Sequence, residues 1–520
     1  MLNLNRRFAV PSFLLSILLV INIFQSRAQP AEIEWLPAIK TAKDQRTLAL
    51  LSAGSGGFQL LRWQERRTDA AGNILPAVPL LTVLTPGGER LHDEPLPGFA
   101  DGALTFRFAF SNDSVLLIVY EAPGDGGQTL YARRLHLNKR KWSAAPIAIF
   151  TDPAGKSPAF ATAWFSRSAD GSHWCCYRAR RLPSGVWQLS VAVFDAGFRL
   201  DWQRDAELPA QSGPVAPRSV FCANNGAVLL HARVFGTGTV PPLVFSGEPP
   251  GAHRPDGRPP YRRYDMEAEL PAYSDALFLL SKDDKELSAF YPKIGKKFTP
   301  SFELTESAGD QVYCAGFTSD ENNTLAEGYF VYAIDLKTRK GEMLQNAPLP
   351  AAVRKLFMSE KAAAKKSPVE DLRLRGLYWA GDGKAWMLAE RENFAQHPGQ
   401  IKEAALFRLD STFRITAARK IEKYQNLPAG DAQNFASVAV CAAPKGAWWL
   451  LWNQGSWPDT RLMLTECRAS SNPEDFQLAL SSRTNVAMLP QTLIRQGNKW
   501  YFVGESEYHE RIRIGVLKPR

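Results

Sequence analysis

The chain has 520 residues, of which 45% are hydrophobic and 22% are charged, and its formal net charge is +10 at pH 7. This composition is that of an ordinary globular protein, so it excludes an intrinsically disordered chain and supplies enough apolar residues for a large core. The positive charge is small for this length and is spread along the chain, so we expect no nucleic-acid partner.

The first 28 residues have the pattern of a secretory signal peptide. Two arginines precede an apolar segment at residues 8–24, and residues 26–28 offer a small-x-small site for cleavage. An uncleaved membrane anchor is the alternative, because the apolar segment is nearly long enough to span a bilayer. Cleavage removes three arginines and no acids, which lowers the formal charge to +7. We therefore expect a secreted or periplasmic protein, and no transmembrane span after cleavage because no second long apolar run follows.

Short apolar and β-branched runs, separated by tight-turn residues, recur along the rest of the chain. Between Leu104 and Ile149 four such runs, which we call strands A to D, have the pattern of antiparallel strands. Strand B is the easiest of the four strands to recognise elsewhere in the chain. Its eight predicted copies begin at Thr47, Ser114, His173, Ala227, Gln311, Ala385, Ala447 and Lys499. Sheets repeated in this way must stack to cover their faces, so we predict an all-β propeller of four-stranded antiparallel blades, with eight blades and seven as the alternative.

The two ends of the chain predict how the ring closes. The last predicted strand, a strand C that begins at Arg511, has no strand D after it, whereas residues 33–40 read IEWLPAIK and look like a strand D. An N-terminal strand that completes the last blade would fasten the ring and cover an exposed edge. The alternative is that this segment forms strand A of the first blade. Residues 29–520 are expected to form a single propeller domain.

The segment YFVYAIDLKTRKGEM, at residues 329–343, carries a family resemblance. It resembles the secreted β-propeller superfamily, loosely of the kelch-like and YVTN-like repeat types. The chain contains neither a Trp-Asp repeat signature nor the kelch Gly-Gly pair. The resemblance covers nearly the whole mature chain and implies the fold, not an activity, because propellers host many functions.

The long predicted connections all join strand B to strand C, or strand D to the next strand A. The two main insertions are residues 235–269, which are rich in Pro and Arg, and residues 345–372, where a short charged helix is expected between Ser359 and Lys366. In an up-and-down blade both kinds of connection emerge on one face. Elaborated loops on one face of a repeat protein often mark its binding side, although solvated insertions without a partner are the alternative.

Charged and amide side chains at the ends of the B strands are expected on that same face. With two residues of the Pro/Arg-rich insertion, which combine stacking and charge, they form the candidate ligand-binding set. The set is Glu121, Arg178, Arg180, Arg233, Tyr261, Arg262, Glu390, Glu392, Asn453, Glu505 and Glu507. In a closed ring these groups could converge on the channel mouth; the alternative is a set of solvated strand ends. In either case we expect Arg233 and Glu390 to be surface positions.

Motifs for metal, cofactor or nucleophile chemistry are absent from the sequence. The seven histidines show no H-x-H or HExxH spacing, and no G-x-S-x-G elbow, P-loop or strand–GxGxxG–helix unit occurs, so we expect no metal and no cofactor. The six cysteines include no C-x₂-C pair, and we expect buried thiols rather than disulfides. Residues 168–174 look like a sialidase Asp box that lacks one residue, and they predict a tight turn.

Two classes of function fit these patterns. The first is an exported, monomeric binding or scaffolding protein whose loop-rich face holds a glycan, peptide or protein partner. The alternative is a carbohydrate-active hydrolase or lyase that uses paired carboxylates at the channel mouth, because glycosidic cleavage needs two carboxyl groups at a controlled separation. The sequence leaves open which ligand the protein binds and whether it is an enzyme.

Overall fold

Eight antiparallel blades of a propeller make up the computed structural model, and a short parallel strand pairing joins the sheets of blades 6 and 7. It describes residues 30–42, 44–52, 57–65, 67–68, 74–75, 77–99, 104–112, 115–124, 127–137, 139, 141–142, 145–153, 164–182, 184–209, 215–236, 270–284, 286–306, 310–379, 384–392, 400–426, 438–456, 460–468, 473–480, 486–506 and 510–520. The predicted all-β propeller with eight blades is confirmed. The predicted signal peptide, residues 1–28, lies outside the described residues.

Each blade has four strands, which follow one another across the sheet in the order A to D. Blade 1 consists of Gln45–Ser52, Phe58–Gln64, Val78–Leu84 and Arg90–Pro95; blade 2 of Thr105–Ser111, Val115–Gly124, Gly127–His136 and Ile147–Pro153; blade 3 of Trp164–Arg167, His173–Arg181, Trp187–Asp195 and Leu200–Glu207; blade 4 of Val215–Cys222, Val228–Phe235, Tyr273–Leu280 and Ser288–Phe290. Blade 5 consists of Phe298–Glu306, Gln311–Ser319, Gly328–Asp335 and Lys340–Pro348; blade 6 of Leu372–Trp379, Ala385–Glu392, Gln400–Leu409 and Ile415–Ile421; blade 7 of Ala439–Ala442, Trp448–Ser456, Arg461–Cys467 and Glu474–Leu480; blade 8 of Lys499–Glu505 and Arg511–Pro519 between Ala487–Gln496 and Ala31–Trp35.

A few short elements lie outside this plan. The short strands are Ile39–Lys40, Arg67–Thr68, Ile74–Leu75, Lys141–Trp142, Leu325–Ala326, Val369–Glu370 and Gln425–Asn426, and the helices are Ala351–Arg354, Glu360–Ala364 and the 3₁₀ turn Pro444–Gly446. The expected helix between Ser359 and Lys366 is confirmed: the Ser359 hydroxyl accepts from the Ala362 N–H at 3.3 Å and caps it. Among the described residues, no helix is long and apolar enough to cross a membrane.

One predicted strand was assigned to the wrong position in its blade. The run that begins at Thr47 is strand A of blade 1, not strand B. The true strand B, Phe58–Gln64, carries Gln59, Arg62 and Gln64 among its apolar residues. All three polar side chains are buried. A pattern of hydrophobicity therefore misses this strand, because charge and amide groups occupy positions inside the protein.

Strand A is the innermost strand and strand D the outermost. The first strands of neighbouring blades contact each other, as in blades 5 and 6, whereas outer strands such as Arg90–Pro95 have mostly exposed or half-buried side chains. Long connections emerge on one side, which we call the loop-rich face, where strand B of blade 4 ends at Phe235 and strand C begins at Tyr273. The A–B and C–D turns form the opposite, short-turn face. The predicted asymmetry of the connections is confirmed.

Three C–D turns on the short-turn face share one geometry. The aspartate that begins each turn accepts hydrogen bonds at Oδ1 from two backbone N–H groups of its own turn. These aspartates are Asp195, Asp335 and Asp410, and a residue with positive φ follows in each turn: Phe198, Arg339 and Phe413. The aspartate carboxylate satisfies donors that the turn leaves unpaired, so this face is built from compact, self-capped turns.

Apolar side chains fill the seams between the blades. Phe108 of blade 2 stacks on Phe165 of blade 3 with ring centroids 4.7 Å apart, and Phe317 of blade 5 meets Phe407 of blade 6 edge to face. Each fully buried side chain of this size contributes roughly 1.5–3 kcal/mol. A blade covers its two apolar faces only when it has a neighbour on both sides.

All six cysteines are buried free thiols. Burial raises the pKa of Cys441 and of Cys467 well above the ordinary thiol value. The expectation of structural thiols rather than disulfides is confirmed.

The N-terminal strand closes the ring as predicted. Ala31–Trp35 pairs antiparallel with Arg511–Pro519, from Ala31 opposite Pro519 to Trp35 opposite Gly515. The Trp35 ring meets Phe502 edge to face at 5.4 Å. Gly515 lies opposite both aromatic residues, and a Cβ there would overlap the Phe502 ring. Close packing over a glycine therefore joins the first strand of the chain to the last.

We predict that Gly515→Val lowers the free energy of unfolding by about 3 kcal/mol, because the added side chain overpacks the closing strands. Thermal and urea unfolding measure the change. Gly87→Ala is the matched control, since the nearest atom to its added Cβ is Thr85 Oγ1 at 3.6 Å. Equal stability of the two variants would contradict the importance of this junction.

Candidate functional site

The predicted ligand-binding residues of strand B lie at its loop-rich end. The members with described side chains are Glu121, Arg178, Arg180, Arg233, Glu390, Asn453 and Glu505. Tyr261, Arg262 and Glu507 lie outside the described residues, and only the backbone of Glu392 is described. The ligand-binding role of the set stays a prediction.

Most of these side chains are buried. Arg233 is 4% exposed and Glu390 is 0% exposed, so the expectation that both are surface positions is wrong. Alternate residues of a strand point to opposite faces of its sheet, and in a propeller a neighbouring blade covers each face. Arg178, Asn453 and Glu505 are buried in the same way. These strand ends lie in the seams between blades.

Two of these residues fasten one blade to the next. Asn453 of blade 7 donates from Nδ2 to the Met488 carbonyl of blade 8 (2.8 Å) and accepts from the Met488 N–H at Oδ1 (3.1 Å). Glu505 of blade 8 accepts from Thr47 Oγ1 of blade 1 at 3.3 Å. Each contact reaches strand A of the following blade, so these polar groups position the innermost strands.

The two arginines of blade 3 have separate contacts. Arg178 lies over the Phe150 ring of blade 2, with its guanidinium carbon 5.0 Å from the ring centroid. Arg180 donates from Nε to Gln188 Oε1 at 2.6 Å, across to strand C of its own blade. Arg178 and Arg180 therefore each interact with a different part of the protein.

Glu390 is the centre of a buried ion cluster in blade 6. Its Oε2 accepts from Arg375 Nε at 2.6 Å, and its Oε1 accepts from Lys423 Nζ. Burial alone would raise the pKa of this carboxyl, but the charges of Lys423 and Arg375 outweigh burial and lower the pKa to about 2. Glu390 is therefore ionised at every physiological pH, and it cannot donate a proton.

Sequence reasoning missed a register irregularity that recurs in strand A of six blades. In each, residues of strand A are skipped in the pairing with strand B, which is the mark of a β-bulge. The skipped residues are Leu48, Arg107, Arg218, 299–300, Arg375 and 490–493. In blades 2, 4 and 6 the skipped residue is an arginine. We call Arg107, Arg218 and Arg375 the arginine bulges.

The arginine bulges of blades 2 and 6 each pair with a glutamate of strand B. Arg107 Nη2 donates to Glu121 Oε2, and Arg375 Nε donates to Glu390 Oε2, both at 2.6 Å. The glutamate follows its arginine by 14 residues in blade 2 and by 15 in blade 6. This spacing, with the arginine between apolar residues, is the signal from which the sequence could have predicted the pairs.

Blade 4 departs from that rule. Fifteen residues after Arg218 stands Arg233 instead of an acid. The Arg233 guanidinium lies over the Tyr273 ring at 4.3 Å and donates from Nη2 to Asn323 Oδ1 at 3.4 Å. The acid opposite Arg233 is Asp275, on strand C. The polar network of blade 4 therefore has a second arginine where those of blades 2 and 6 have a glutamate.

A buried histidine belongs to the same network. His231 Nε2 lies 2.7 Å from Asp275 Oδ1, and Thr299 Oγ1 donates to Asp275 Oδ2 at 2.7 Å. Burial lowers the pKa of His231 despite the opposing effect of Asp275, so the imidazole is neutral at pH 7. Its ring stacks on Phe302 of blade 5 at 3.9 Å. The network joins blades 4 and 5 beneath the stem of the long B–C insertion.

The short-turn face carries a different acidic group. Glu306 is 8% exposed, and its Oε2 accepts from the Asn224 N–H at 2.7 Å. Burial raises the pKa of Glu306 to about 7, with a smaller contribution from Asp170 and Asp310. Asp170 lies in the turn that looks like an Asp box, where its Oδ1 accepts from Ser172 N–H at 2.8 Å. The prediction of a tight turn there is confirmed.

No group of three or more His, Cys, Asp or Glu side chains within the described ranges could hold a metal ion. Three acids described at the strand B ends, Glu121, Glu390 and Glu505, are engaged with arginine, lysine or hydroxyl groups. The arginine side chains of strands A and B therefore place guanidinium hydrogen-bond donors around the inner strands.

No protein-family model and no curated protein matches the chain. Similar solved structures include prolyl oligopeptidase B from Galerina marginata (10% identity, TM-score 0.39, 89% of this chain and 55% of that chain) and the polysaccharide lyase Uly1 (9% identity, TM-score 0.39, 93% and 100%). An α-L-arabinanase from Penicillium chrysogenum is a third (10% identity, TM-score 0.33, 71% and 96%). The chain spans about half the length of the prolyl oligopeptidase. These similarities assign the chain to no family.

We predict that Glu390→Gln lowers the free energy of unfolding by about 3 kcal/mol, because it removes the carboxylate that Lys423 and Arg375 share at a buried site. Glu360→Gln is the matched control. It also removes a carboxylate paired with a lysine, Lys355, but at an exposed position, where the expected loss is below about 1 kcal/mol. Urea unfolding at pH 7 measures both, and similar midpoints for the two variants would disprove a stabilising cluster.

We predict that Glu306 makes the protein less stable as the pH rises. Its pKa in the folded protein, about 7, is above the ordinary value of 4.5, so its contribution is most favourable at low pH and is lost as the pH rises through 7. Glu306→Gln stays neutral and can still accept from Asn224. At pH 8.5 it should be about 2 kcal/mol more stable than wild type, and this gain should shrink at pH 5. A gain that is the same at both pH values would refute the assignment.

Proposed function

We propose that the protein is an exported β-propeller that binds or scaffolds a glycan, peptide or protein partner on its loop-rich face. The main supporting observation is that the long connections between strands lie on one face of the propeller and the short turns on the other. In blade 4 strand B ends at Phe235 and strand C begins at Tyr273, whereas the A–B turn of the same blade spans only Cys222 to Val228. Loops on one face of a rigid repeat scaffold supply binding surface without disturbing the core.

The base of this face supports binding because it is polar and tightly held. The arginine bulges interrupt strand A where it begins on the loop-rich face, and bulges at such rims re-aim side chains. Glu121 and Glu390 fix the guanidinium groups of Arg107 and Arg375 in position. Preorganised donors lower the entropy that binding must overcome.

The described acids favour binding over the alternative of a hydrolase or lyase with paired carboxylates. Glycoside hydrolysis needs one carboxyl group that keeps its proton at the working pH. On the loop-rich face Glu390 has a pKa lowered to about 2. The acid with a raised pKa, Glu306, lies at the other end of the propeller. Catalysis by paired carboxylates at this mouth therefore has less support.

Export and a monomeric state are parts of the same proposal. The N-terminal pattern at residues 1–28 supports export. In a closed ring every blade packs its apolar faces against two neighbouring blades, which supports a monomer.

We predict that deletion of residues 252–263 weakens binding at least tenfold while thermal stability changes little, because shortening a long connection between two strands changes its closure entropy little. The mature protein is screened against a glycan array and against extracts of the native envelope, and the deletion variant is compared on every hit. Lys337→Ala, in an exposed C–D turn of the short-turn face, is the control and should bind like wild type. Unchanged binding in the deletion variant would remove this loop from the site.

A further inference from the structure

We infer that the loop-rich face binds an acidic polysaccharide, whose carboxylate or sulfate groups contact the arginine bulges Arg107, Arg218 and Arg375. The inference rests on the proposed function, because it names the ligand class of the same face. Four features of the face support it: the exposure of these arginines, their arrangement in the ring, the second arginine of blade 4 and an exposed aromatic ring.

The arginine bulges have one route to solvent. Strand A is innermost and neighbouring blades cover both of its faces, so its side chains are exposed only toward the channel or its mouth. Arg107 and Arg375 have side chains that are 21% and 11% exposed, and Arg218 is also partly exposed. Their partners Glu121 and Glu390 are deeper, at 12% and 0%. The guanidinium groups therefore form the layer of the network that a ligand meets first.

The three bulges occupy the same position of strand A in alternate blades. Successive blades of an eight-bladed ring are rotated by about 45°, so blades 2, 4 and 6 are about 90° apart. Their guanidinium groups approach the channel mouth from three directions. A small anion would contact one of them, whereas a polymer with an acid group on each repeating unit can contact several and gain avidity.

Blade 4 has a second arginine in its polar network. Arg233 stands where blades 2 and 6 have a glutamate, and the nearby acid, Asp275, already bonds to His231 and Thr299. A guanidinium that is paired with one carboxylate still has donors to offer, because it carries five N–H groups.

An exposed aromatic ring on this face favours a sugar over a simple anion. Tyr424 is 42% exposed, and its carbonyl accepts from the Gly455 N–H of blade 7 at 2.7 Å. This bond holds Tyr424 beside the loop-rich end of strand B. A tyrosine ring presents an apolar face and a polar edge, to which the faces of a sugar ring are suited. Guanidinium groups for the acid and a ring for the sugar together fit a uronate or sulfated polysaccharide.

The test uses the whole mature protein and defined polymers. Isothermal titration measures binding to polygalacturonate, dextran sulfate, neutral dextran and single-stranded DNA. We expect binding to one or both acidic polysaccharides, weakened by salt, and none to neutral dextran. Arg218→Gln should weaken that binding about tenfold, because a charge-assisted hydrogen bond is lost. Arg199→Gln, at an exposed position of the short-turn face, is the matched control and should leave it unchanged.

Two further variants keep the test decisive if Arg218→Gln loses thermal stability. Arg107→Gln repeats it in blade 2, and Arg218→Lys keeps the charge but lacks the planar fork, so it should bind with intermediate affinity. Equal affinity for neutral and acidic polymers overturns the inference, as does wild-type affinity in both glutamine variants or binding to DNA alone. If a neutral glycan or a peptide binds and the loop deletion abolishes that binding, the inference fails while the proposed function stands. If nothing binds to this face, both fail.

Discussion

Pairing between Ala31–Trp35 and Arg511–Pro519 is the contact on which the rest of the propeller depends. Each blade buries one apolar face against the blade before it and the other against the blade after it. A ring that stayed open would expose two such faces and two strand edges, which are both costly in water and prone to aggregation. Five paired residues at the chain ends thus make the coverage of all eight blades complete. The glycine opposite Trp35 lets the closing strands pack closely enough to do this.

Polar groups complement the apolar seams at one end of the blades. A bulge in strand A interrupts the ladder with strand B, and the interrupted region needs new partners for its donors and acceptors. Blades 2 and 6 meet this need with an Arg–Glu pair. In blades 8 and 1, Asn453 and Glu505 of the preceding blade bond to strand A. A buried ion pair adds little net stability over an apolar pair. What it does supply is a fixed geometry for charged groups that partly meet solvent.

The sequence predicts the architecture well because alternation within strands and turn residues between them are local signals. Strand count, ring closure and the short helix near Ser359 all follow from such signals. Strand B of blade 1 is missed because it buries Arg62, which is 0% exposed, against the rule that charges stay at the surface. The burial of Glu390 is missed for a related reason: the sequence places it at a strand end, but only the assembled ring shows that the next blade covers it. The bulges are missed because a shift of register is a property of how two strands pair, and neither strand shows it by itself.

The two ends of the propeller differ in how closely they follow the repeat. On the short-turn face, Asp195, Asp335 and Asp410 cap turns of the same form in three different blades, so the backbone there is specified by a recurring local bond. On the loop-rich face, equivalent positions differ from blade to blade: an Arg–Glu pair, two arginines, or an amide bonded to the next blade. Repeated geometry is what a ring needs to close, and it carries no information about a ligand. Non-equivalent charges at equivalent positions break the symmetry of the ring, and an asymmetric site is what orients an asymmetric ligand. The evidence for a binding face is therefore strongest where equivalent positions of the blades carry different side chains. The clearest example is blade 4, where Arg233 replaces the expected acid.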